Sequence, residues 1–304
     1  MSGKKHCKAV SVFVFMEKTI LELRSMNKFR TSETYTSALV SFRSFRNGSD
    51  LPFSGLTPTL LASYESYLAA RGVSPNSSSF YMRILRAVYN RAVDQGLTGQ
   101  KYPFRSVYTG VGRTRKRAIS MASLKRIRHL HLPPGSSLDF ARDMFLFSFY
   151  TRGMPFVDMA YLRKSDLCCG VLEYRRRKTG QLLQVRWEGC MQALVDKYSP
   201  LPETGYLLPI ITDAGSDPRR QYICASHKIN RNLKEIGRMA GLEHPLSMYV
   251  ARHSWATAAR NKNVPLPVIS GGMGHGSEQT TRIYLDSLDN SEIDMANRLI
   301  LNSL

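Results

Sequence analysis

The chain has 304 residues, a length that favours two domains, and 43% of them are hydrophobic, enough for ordinary globular cores. Its 43 Lys and Arg residues outnumber 23 Asp and Glu residues and give a formal charge of +20, which disfavours an enzyme that acts only on small molecules. Because binding to phosphates releases counterions, this excess favours nucleic acid as the partner over loose binding to acidic proteins or membranes.

The cysteines have no CxxC spacing, so neither a disulfide framework nor a zinc site is indicated. This cysteine usage fits a reducing cytoplasm, which is the expected location. No metal and no cofactor are expected. The apolar run near the N-terminus is too brief for a signal peptide, and no stretch is long enough to span a bilayer, so no membrane partner is expected. The five cysteines are Cys7, Cys168, Cys169, Cys190 and Cys224.

The first third of the chain is predicted to form a bundle of four helices. A capping hydroxyl followed by proline, at Thr57-Pro58 and Ser74-Pro75, indicates the starts of helices that end near Gly72 and Gly96. Ser32 is a candidate cap for an earlier helix. The first helix is expected to pack through Val10, Val12, Val14, Ile20 and Leu23.

A basic segment at 109–119 contains two glycines and no apolar period, so it is predicted to link a domain at 1–108 to a domain at 120–304. Such a linker could cross a DNA groove while the domains clamp opposite faces; a plain solvated hinge explains it equally well. Each basic residue before 120 could also be a solvated charge. Those we consider candidates for DNA contacts are Arg83, Arg86, Arg115, Lys116 and Arg117.

The rest of the chain mixes helices with a short sheet. Alternating apolar residues between Gly170 and Trp187, interrupted by Thr179-Gly180, predict a β-hairpin. The expected fold class is therefore mainly α with a small β-hairpin, an α+β fold. Helices are predicted after Ser120, at 138–150, and near 190–198, 221–240, 246–261, 265–272 and 277–287, with a last one from about Ser291.

Three side chains near the C-terminus carry chemical groups that together suit one type of reaction. Arg252 lies on a predicted helix, where its planar guanidinium could bind two phosphate oxygens, although a structural arginine would look the same in isolation. His275 follows Gly274 just before another helix, a favourable place for a phosphate. Tyr284 supplies a phenol that could attack phosphorus, with help because its ordinary pKa is about 10. Together they suggest cleavage of a phosphodiester by tyrosine.

These residues resemble those of the tyrosine recombinase (phage integrase) family: Arg252-His253, Met273-Gly274-His275 and Tyr284 follow its Arg, Gly-His and Tyr order and spacing. The resemblance covers 120–304, and the helical segment 1–108 is similar to the family's core-binding domain. It implies a C-shaped clamp on double-stranded DNA and a 3′-phosphotyrosyl intermediate formed without metal or ATP.

The resemblance also implies roles for residues on the hairpin and on the Arg252 helix. Lys178 matches the family's hairpin lysine, which protonates the 5′ oxygen, although a hairpin lysine is commonly only a solvent charge. Tyr249 stands where the family usually has a histidine; it could order the phosphate, leaving the Tyr284 proton to water or another group. Arg177 and His253, beside catalytic positions, are further candidates for DNA contacts.

The family's first arginine is displaced here. Its usual pattern is Thr-Gly-Leu-Arg with an acidic residue three positions later, and counting back from Asp158 reaches Pro155, which cannot serve. Arg152, before Gly153, is the expected substitute and Arg163 the alternative. Asp158 is expected to orient its neighbours.

The resemblance favours site-specific recombination, as integration, excision or inversion of a DNA segment. It implies a homotetramer on two DNA sites, which accessory DNA-bending proteins could assist. A type IB topoisomerase and a non-catalytic DNA-binding protein are the alternatives. A C-terminal helix could dock on a neighbouring protomer or pack on its own domain through Ile293, Met295, Ala296, Leu299 and Ile300.

Overall fold

A computed structural model describes residues 10–112, 118–199, 204–282, 285, 298, 300 and 301. Within them the chain is mainly helical with one three-stranded antiparallel sheet, which confirms the predicted fold class. The chain divides into two compact units, Met1–Thr114 and Arg115–Leu304, and this boundary falls within the segment predicted as a linker. None of the described helices is both long enough and apolar enough to cross a membrane.

The described part of the first unit contains four α-helices, as predicted. Thr57 and Ser74 each cap a helix that has proline at its first position, because their hydroxyls accept hydrogen bonds from the amides of Leu60 and Ser77. The helices pack their apolar faces into one core. They are α1 (Val12–Ser25), α2 (Phe29–Phe45), α3 (Pro58–Ala70) and α4 (Pro75–Asp94).

Two predictions for this unit were wrong. Ser32 is not a cap; it lies buried inside α2, where its hydroxyl donates to the Phe29 carbonyl. Val10 and Val14 do not pack in the core: Val14 is 57% exposed, while Phe13 and Met16 are buried. Side chains two positions apart on a helix point in directions about 200° apart. Valines at alternate positions therefore cannot share one buried face.

The second unit packs its helices around α6, whose residues Met144, Phe145 and Phe147 are fully buried. The predicted helices are present within the described residues, and Ser120 caps the first of them by accepting from the Ser123 amide. The short α7 was not predicted. Their bounds are α5 (Met121–Arg128), α6 (Ser137–Tyr150), α7 (Phe156–Ala160), α8 (Gly189–Asp196), α9 (Pro218–Met239), α10 (Met248–Asn261), α11 (Leu266–Met273) and α12 (Glu278–Arg282).

The prediction of a final helix falls largely outside the described residues. Arg298, Ile300 and Leu301 are helical and exposed. Ile293, Met295, Ala296 and Leu299 lie outside the described residues, so docking of this segment stays a prediction.

The predicted hairpin is confirmed as β2 (Val171–Arg175) and β3 (Leu182–Arg186), and β1 (Leu167–Cys168) adds a third strand on the other side of β2. Leu172 pairs with Val185, and both side chains are buried against the core. The loop closes where the Gly180 amide donates to the Arg176 carbonyl at 2.8 Å. Gly180 has φ +72°, a conformation that favours glycine.

Candidate functional site

Arg252 lies at the centre of the candidate site, on α10, with only 3% of its surface exposed. Its Nη1 donates to the Gly153 carbonyl at 2.8 Å, and its Nη2 donates to the Met273 carbonyl at 2.7 Å. These carbonyls belong to the loop after α6 and to the end of α11. Two fixed acceptors hold the planar guanidinium in one orientation, so the group is preorganised.

His275 contacts Arg252 because α11 ends in a left-handed turn. Gly274, with φ +66°, follows the helix and directs the next residue back toward α10. The Nε2 atom of His275 lies 2.8 Å from Arg252 Nη2, and its Nδ1 atom lies 2.8 Å from the Thr281 hydroxyl oxygen. A guanidinium can only donate, so Nε2 accepts and Nδ1 carries the proton donated to Thr281.

The surroundings keep His275 uncharged. Burial lowers the pKa of His275 to about 4, and the positive charges of Arg252, Arg176 and Lys178 act in the same direction. The imidazole is therefore neutral near pH 7, while the guanidiniums beside it remain charged. A site of this kind stabilises an incoming anion, because the anion offsets positive charges that the protein has already brought together.

Arg176 is a site residue that sequence reasoning missed. It follows β2, is 7% exposed, and its Nη1 donates to the carbonyls of Gly274 at 2.7 Å and Met273 at 3.2 Å. The hairpin's period of two contained the signal, because Arg176 continues the inward face of Leu172 and Tyr174. An arginine on an apolar face indicates a buried polar partner.

Asp158, on α7, contacts the hairpin. Its Oδ1 accepts from the Arg177 amide at 2.9 Å, and its Oδ2 lies 3.6 Å from Arg176 Nε. Burial raises the pKa of Asp158, against the opposing effect of the Arg177 amide and the Arg176 charge. These contacts agree with the expectation that Asp158 orients its neighbours.

The remaining hairpin candidates lie at its tip. Lys178 is exposed there, close enough for its charge to affect His275. The Arg177 guanidinium lies over the ring of Tyr161, 3.8 Å from its centroid. The structure therefore brings Lys178 near the Arg252–His275 pair, and its catalytic role stays a prediction.

Arg152 ends the turn after α6 with φ +61°, next to the glycine that touches Arg252. Its Nη1 donates to the Gln184 carbonyl of β3 at 3.1 Å. The alternative, Arg163, lies 3.8 Å above the ring of Tyr206 and donates to the Thr204 carbonyl, contacts that hold it elsewhere. Position therefore favours Arg152 over Arg163, although its catalytic role stays a prediction.

Tyr249 lies three residues before Arg252 on α10, yet Tyr249 is 49% exposed while Arg252 is buried. The Tyr249 ring packs edge-on against the ring of His253, with 4.7 Å between centroids. His253 is itself buried, an environment that suits packing better than a DNA contact. The roles of Tyr249 and His253 stay predictions.

In the first unit, Arg83 is partly exposed and Arg86 is exposed on α4; the Arg86 guanidinium donates to the Thr109 hydroxyl at 2.9 Å. Among the described residues, no three His, Cys, Asp or Glu side chains are grouped as a metal site would require. The candidates that lie outside the described residues are Arg115, Lys116, Arg117 and Tyr284.

Comparison with known proteins gives two family matches. The phage integrase SAM-like domain matches residues 11–107, and the phage integrase family matches residues 193–291. A tyrosine recombinase of Pseudothermotoga lettingae is 27% identical over 144 residues, which are 46% of this chain and 50% of the relative. The match thus spans about half the length of that curated relative.

Solved structures share the fold. A lambda integrase tetramer bound to a Holliday junction has a TM-score of 0.69 and 17% identity, covering 94% of this chain and 82% of that one. The Tn1549 transposon integrase in complex with transposon right end DNA has a TM-score of 0.66 and 14% identity, covering 96% of this chain and 100% of that one. At these identities the likeness concerns the fold alone.

Proposed function

Because the chain belongs to the tyrosine recombinase (phage integrase) family, we propose that it is a site-specific recombinase, which cleaves and rejoins DNA through a 3′-phosphotyrosyl intermediate. The observation that carries the proposal is the contact between buried Arg252 and partly buried His275, which lies beside a hairpin that presents Lys178. This arrangement provides positive charge for a phosphate and an acid for a leaving group. The charge of +20 supplies the long-range attraction to DNA.

In the proposed cleavage step, the Tyr284 oxygen forms a bond to phosphorus and the bond from phosphorus to the 5′ oxygen breaks. Lys178 gives its proton to the departing 5′ oxygen. The phosphodiester energy is retained in the tyrosyl ester, so attack by a 5′ hydroxyl can reverse the step without ATP. Arg252 stabilises the charge that develops on the phosphorane, together with Arg152 as the proposed substitute for the family's first arginine.

His275 is proposed to take part in the proton transfers of this step. In the unbound protein its Nε2 accepts a hydrogen bond from Arg252, so donation to a phosphate oxygen requires a proton on Nε2. A bound phosphate adds negative charge, which raises the pKa of His275 and favours that protonation. The phenol of Tyr284 loses one proton as it attacks, and His275 is a group that could receive it. Tyr249 would then help to order the phosphate.

Double-stranded DNA is the proposed partner, and the proposed assembly is a homotetramer on two sites. The support is the fold shared with lambda integrase, whose solved structures include the tetramer on a Holliday junction. The proposed outcome is integration, excision or inversion of a DNA segment. Accessory DNA-bending proteins could assist it.

Covalent trapping tests the proposal. Wild type, Tyr284→Phe and Arg152→Ala are incubated with nicked suicide substrates made from DNA flanking the gene, and with random-site libraries. Denaturing gels then reveal protein–DNA adducts. We expect an adduct in wild type, none in Tyr284→Phe and less in Arg152→Ala. The control Tyr102→Phe, which changes an exposed tyrosine of the first unit, should retain the adduct.

The other functions give different results. DNA binding without an adduct on any substrate would indicate a non-catalytic DNA-binding protein. An adduct with religation of the same strand only, and no exchange between two sites on one plasmid, would indicate a topoisomerase. Exchange between two sites would establish recombination, and the product would distinguish inversion from excision.

A further inference from the structure

We propose that Arg176 is a positioning residue that joins the Lys178 hairpin to the Gly274-His275 turn, so that the general acid and the imidazole are placed together. This inference rests on the proposed function for its catalytic consequence. Its structural part, the coupling between hairpin and turn, can be measured without DNA.

The side chain and the backbone of Arg176 act on different segments. Its Nη1 donates to the carbonyls of Met273 and Gly274, which immediately precede His275. Its carbonyl accepts from the Gly180 amide and its amide donates to the Gln181 carbonyl, each at 2.8 Å, which closes the loop that carries Lys178. One residue therefore fixes both the turn and the loop.

Close packing makes this connection rigid. A β-carbon at Gly274 would lie 2.7 Å from Leu183 Cδ1 and 2.8 Å from Arg176 Cδ, so the hairpin lies directly against the turn. The Arg176 side chain is nearly inaccessible to solvent. Hydrogen bonds in such a low-dielectric environment are stronger than exposed ones, so motion of the turn is coupled to motion of the hairpin.

The charges show why arginine suits this position. Arg252 and Arg176 both donate to the Met273 carbonyl, which brings two guanidiniums to one acceptor. Asp158 offsets part of this charge from 3.6 Å. Lysine would keep a positive charge, but its single ammonium on a flexible stem cannot face the two carbonyls and Asp158 at once, as the planar guanidinium does through Nη1 and Nε. The variant Arg176→Lys therefore keeps the positive charge at this position and changes the geometry of its hydrogen bonds.

The test compares Arg176→Lys with Arg186→Lys, a matched change at an exposed arginine of β3 in the same sheet. Adduct formation is measured at saturating DNA with an ordinary 5′ oxygen and with a 5′-bridging sulfur at the scissile phosphate. A thiolate leaves without protonation, so the sulfur substrate does not need Lys178. Lys178→Ala serves as the reference for loss of the acid.

We expect Arg176→Lys to lose roughly 10²-fold in rate on the oxygen substrate, because a displacement of about 1 Å has that effect. Much of the loss should be recovered on the sulfur substrate, as for Lys178→Ala, and the remainder reflects displaced His275. Arg186→Lys should stay close to wild type on both. Equal losses on the two substrates, or a rate on the oxygen substrate that matches Arg186→Lys, would overturn the coupling.

A second measurement does not depend on activity. In the DNA-free protein, amide resonances of Gly274, His275 and Lys178 should all shift in Arg176→Lys and stay unchanged in Arg186→Lys. If only one segment responds, the coupling is wrong whatever the activity. If both respond while wild type forms no adduct on either substrate, the proposed function fails and the coupling stands. If Arg176→Lys does not fold, a double variant takes its place in each comparison. Arg176→Met with Asp158→Asn removes the positive charge together with the negative charge that faces it.

Discussion

Gly153 and Arg252 are in direct contact: a β-carbon at Gly153 would lie 2.6 Å from Arg252 Cα, and the Gly153 carbonyl accepts from Arg252 Nη1 at 2.8 Å. The loop after α6 therefore approaches α10 as closely as a backbone can. The Gly153 carbonyl holds Nη1 of the guanidinium, while the Met273 carbonyl at the end of α11 holds Nη2.

Gly153→Ala should destabilise the second unit and reduce adduct formation. The β-carbon would meet backbone atoms, which cannot rotate away, and the residue has φ +72°. We expect a loss of about 2–4 kcal/mol in the free energy of unfolding, measured in urea. Gly135→Ala is the control, because Gly135 has the same φ and open space around it. Equal losses in both variants would show that only backbone strain matters.

Gly274→Ala should cost less stability than Gly153→Ala but still impair cleavage. Here the β-carbon would meet side-chain atoms of Leu183 and Arg176, which can shift by more than the backbone atoms that surround Gly153. Their movement displaces the hairpin, so we expect a loss of about 1–2 kcal/mol in unfolding free energy together with slower adduct formation. Gly276→Ala, in open space, should change neither quantity. A stability loss in Gly274→Ala that exceeds the loss in Gly153→Ala would contradict this ranking.

Thr281→Val should disturb His275 while keeping nearly the same side-chain shape. The Thr281 hydroxyl is the acceptor for His275 Nδ1, and Thr281 is fully buried. Removing it leaves a partly buried donor without that partner, at a cost of about 1–3 kcal/mol in unfolding free energy. Thr280→Val is the control, since Thr280 shares a hydrogen bond with Ser277 at the surface. NMR of the imidazole should show a changed Nδ1–H environment in Thr281→Val alone, with the tautomer kept because Arg252 still donates to Nε2.

Acid should destabilise the wild type through His275. The folded-state pKa is lowered to about 4 from an ordinary value of 6.5, so the unfolded chain binds the proton first as pH falls. The free energy of unfolding contributed by His275 should decrease from about pH 6.5 to about pH 4 and then level off. Urea unfolding of wild type and His275→Gln across this range isolates the effect. Parallel pH profiles would show that His275 titrates normally in the folded protein.

Local sequence signals predicted much of the fold. Thr57, Ser74 and Ser120 cap helices as expected, because a cap depends only on the next few residues. The Gly180 turn between alternating apolar residues predicted the hairpin for the same reason. Where a local signal was ambiguous it misled: Ser32 lies inside a helix, and Val14 faces away from the core.

The candidate site was predictable only in part. Arg252, His275 and Tyr284 were identified from spacing, since their order along the chain resembles a known family. The partners of these residues could not be identified in that way. Arg176 contacts Met273 and Gly274 from nearly 100 positions away, and its importance became visible only through those contacts.

The sequence by itself determined the charge, the helices, the hairpin and the order of the chemical groups, because these depend on composition and on neighbouring residues. The tertiary structure decided which carbonyls hold Arg252, which nitrogen of His275 carries the proton and how Arg176 joins the hairpin to the turn. Those facts depend on distances between atoms on separate helices and strands. Such distances arise only when the core packs.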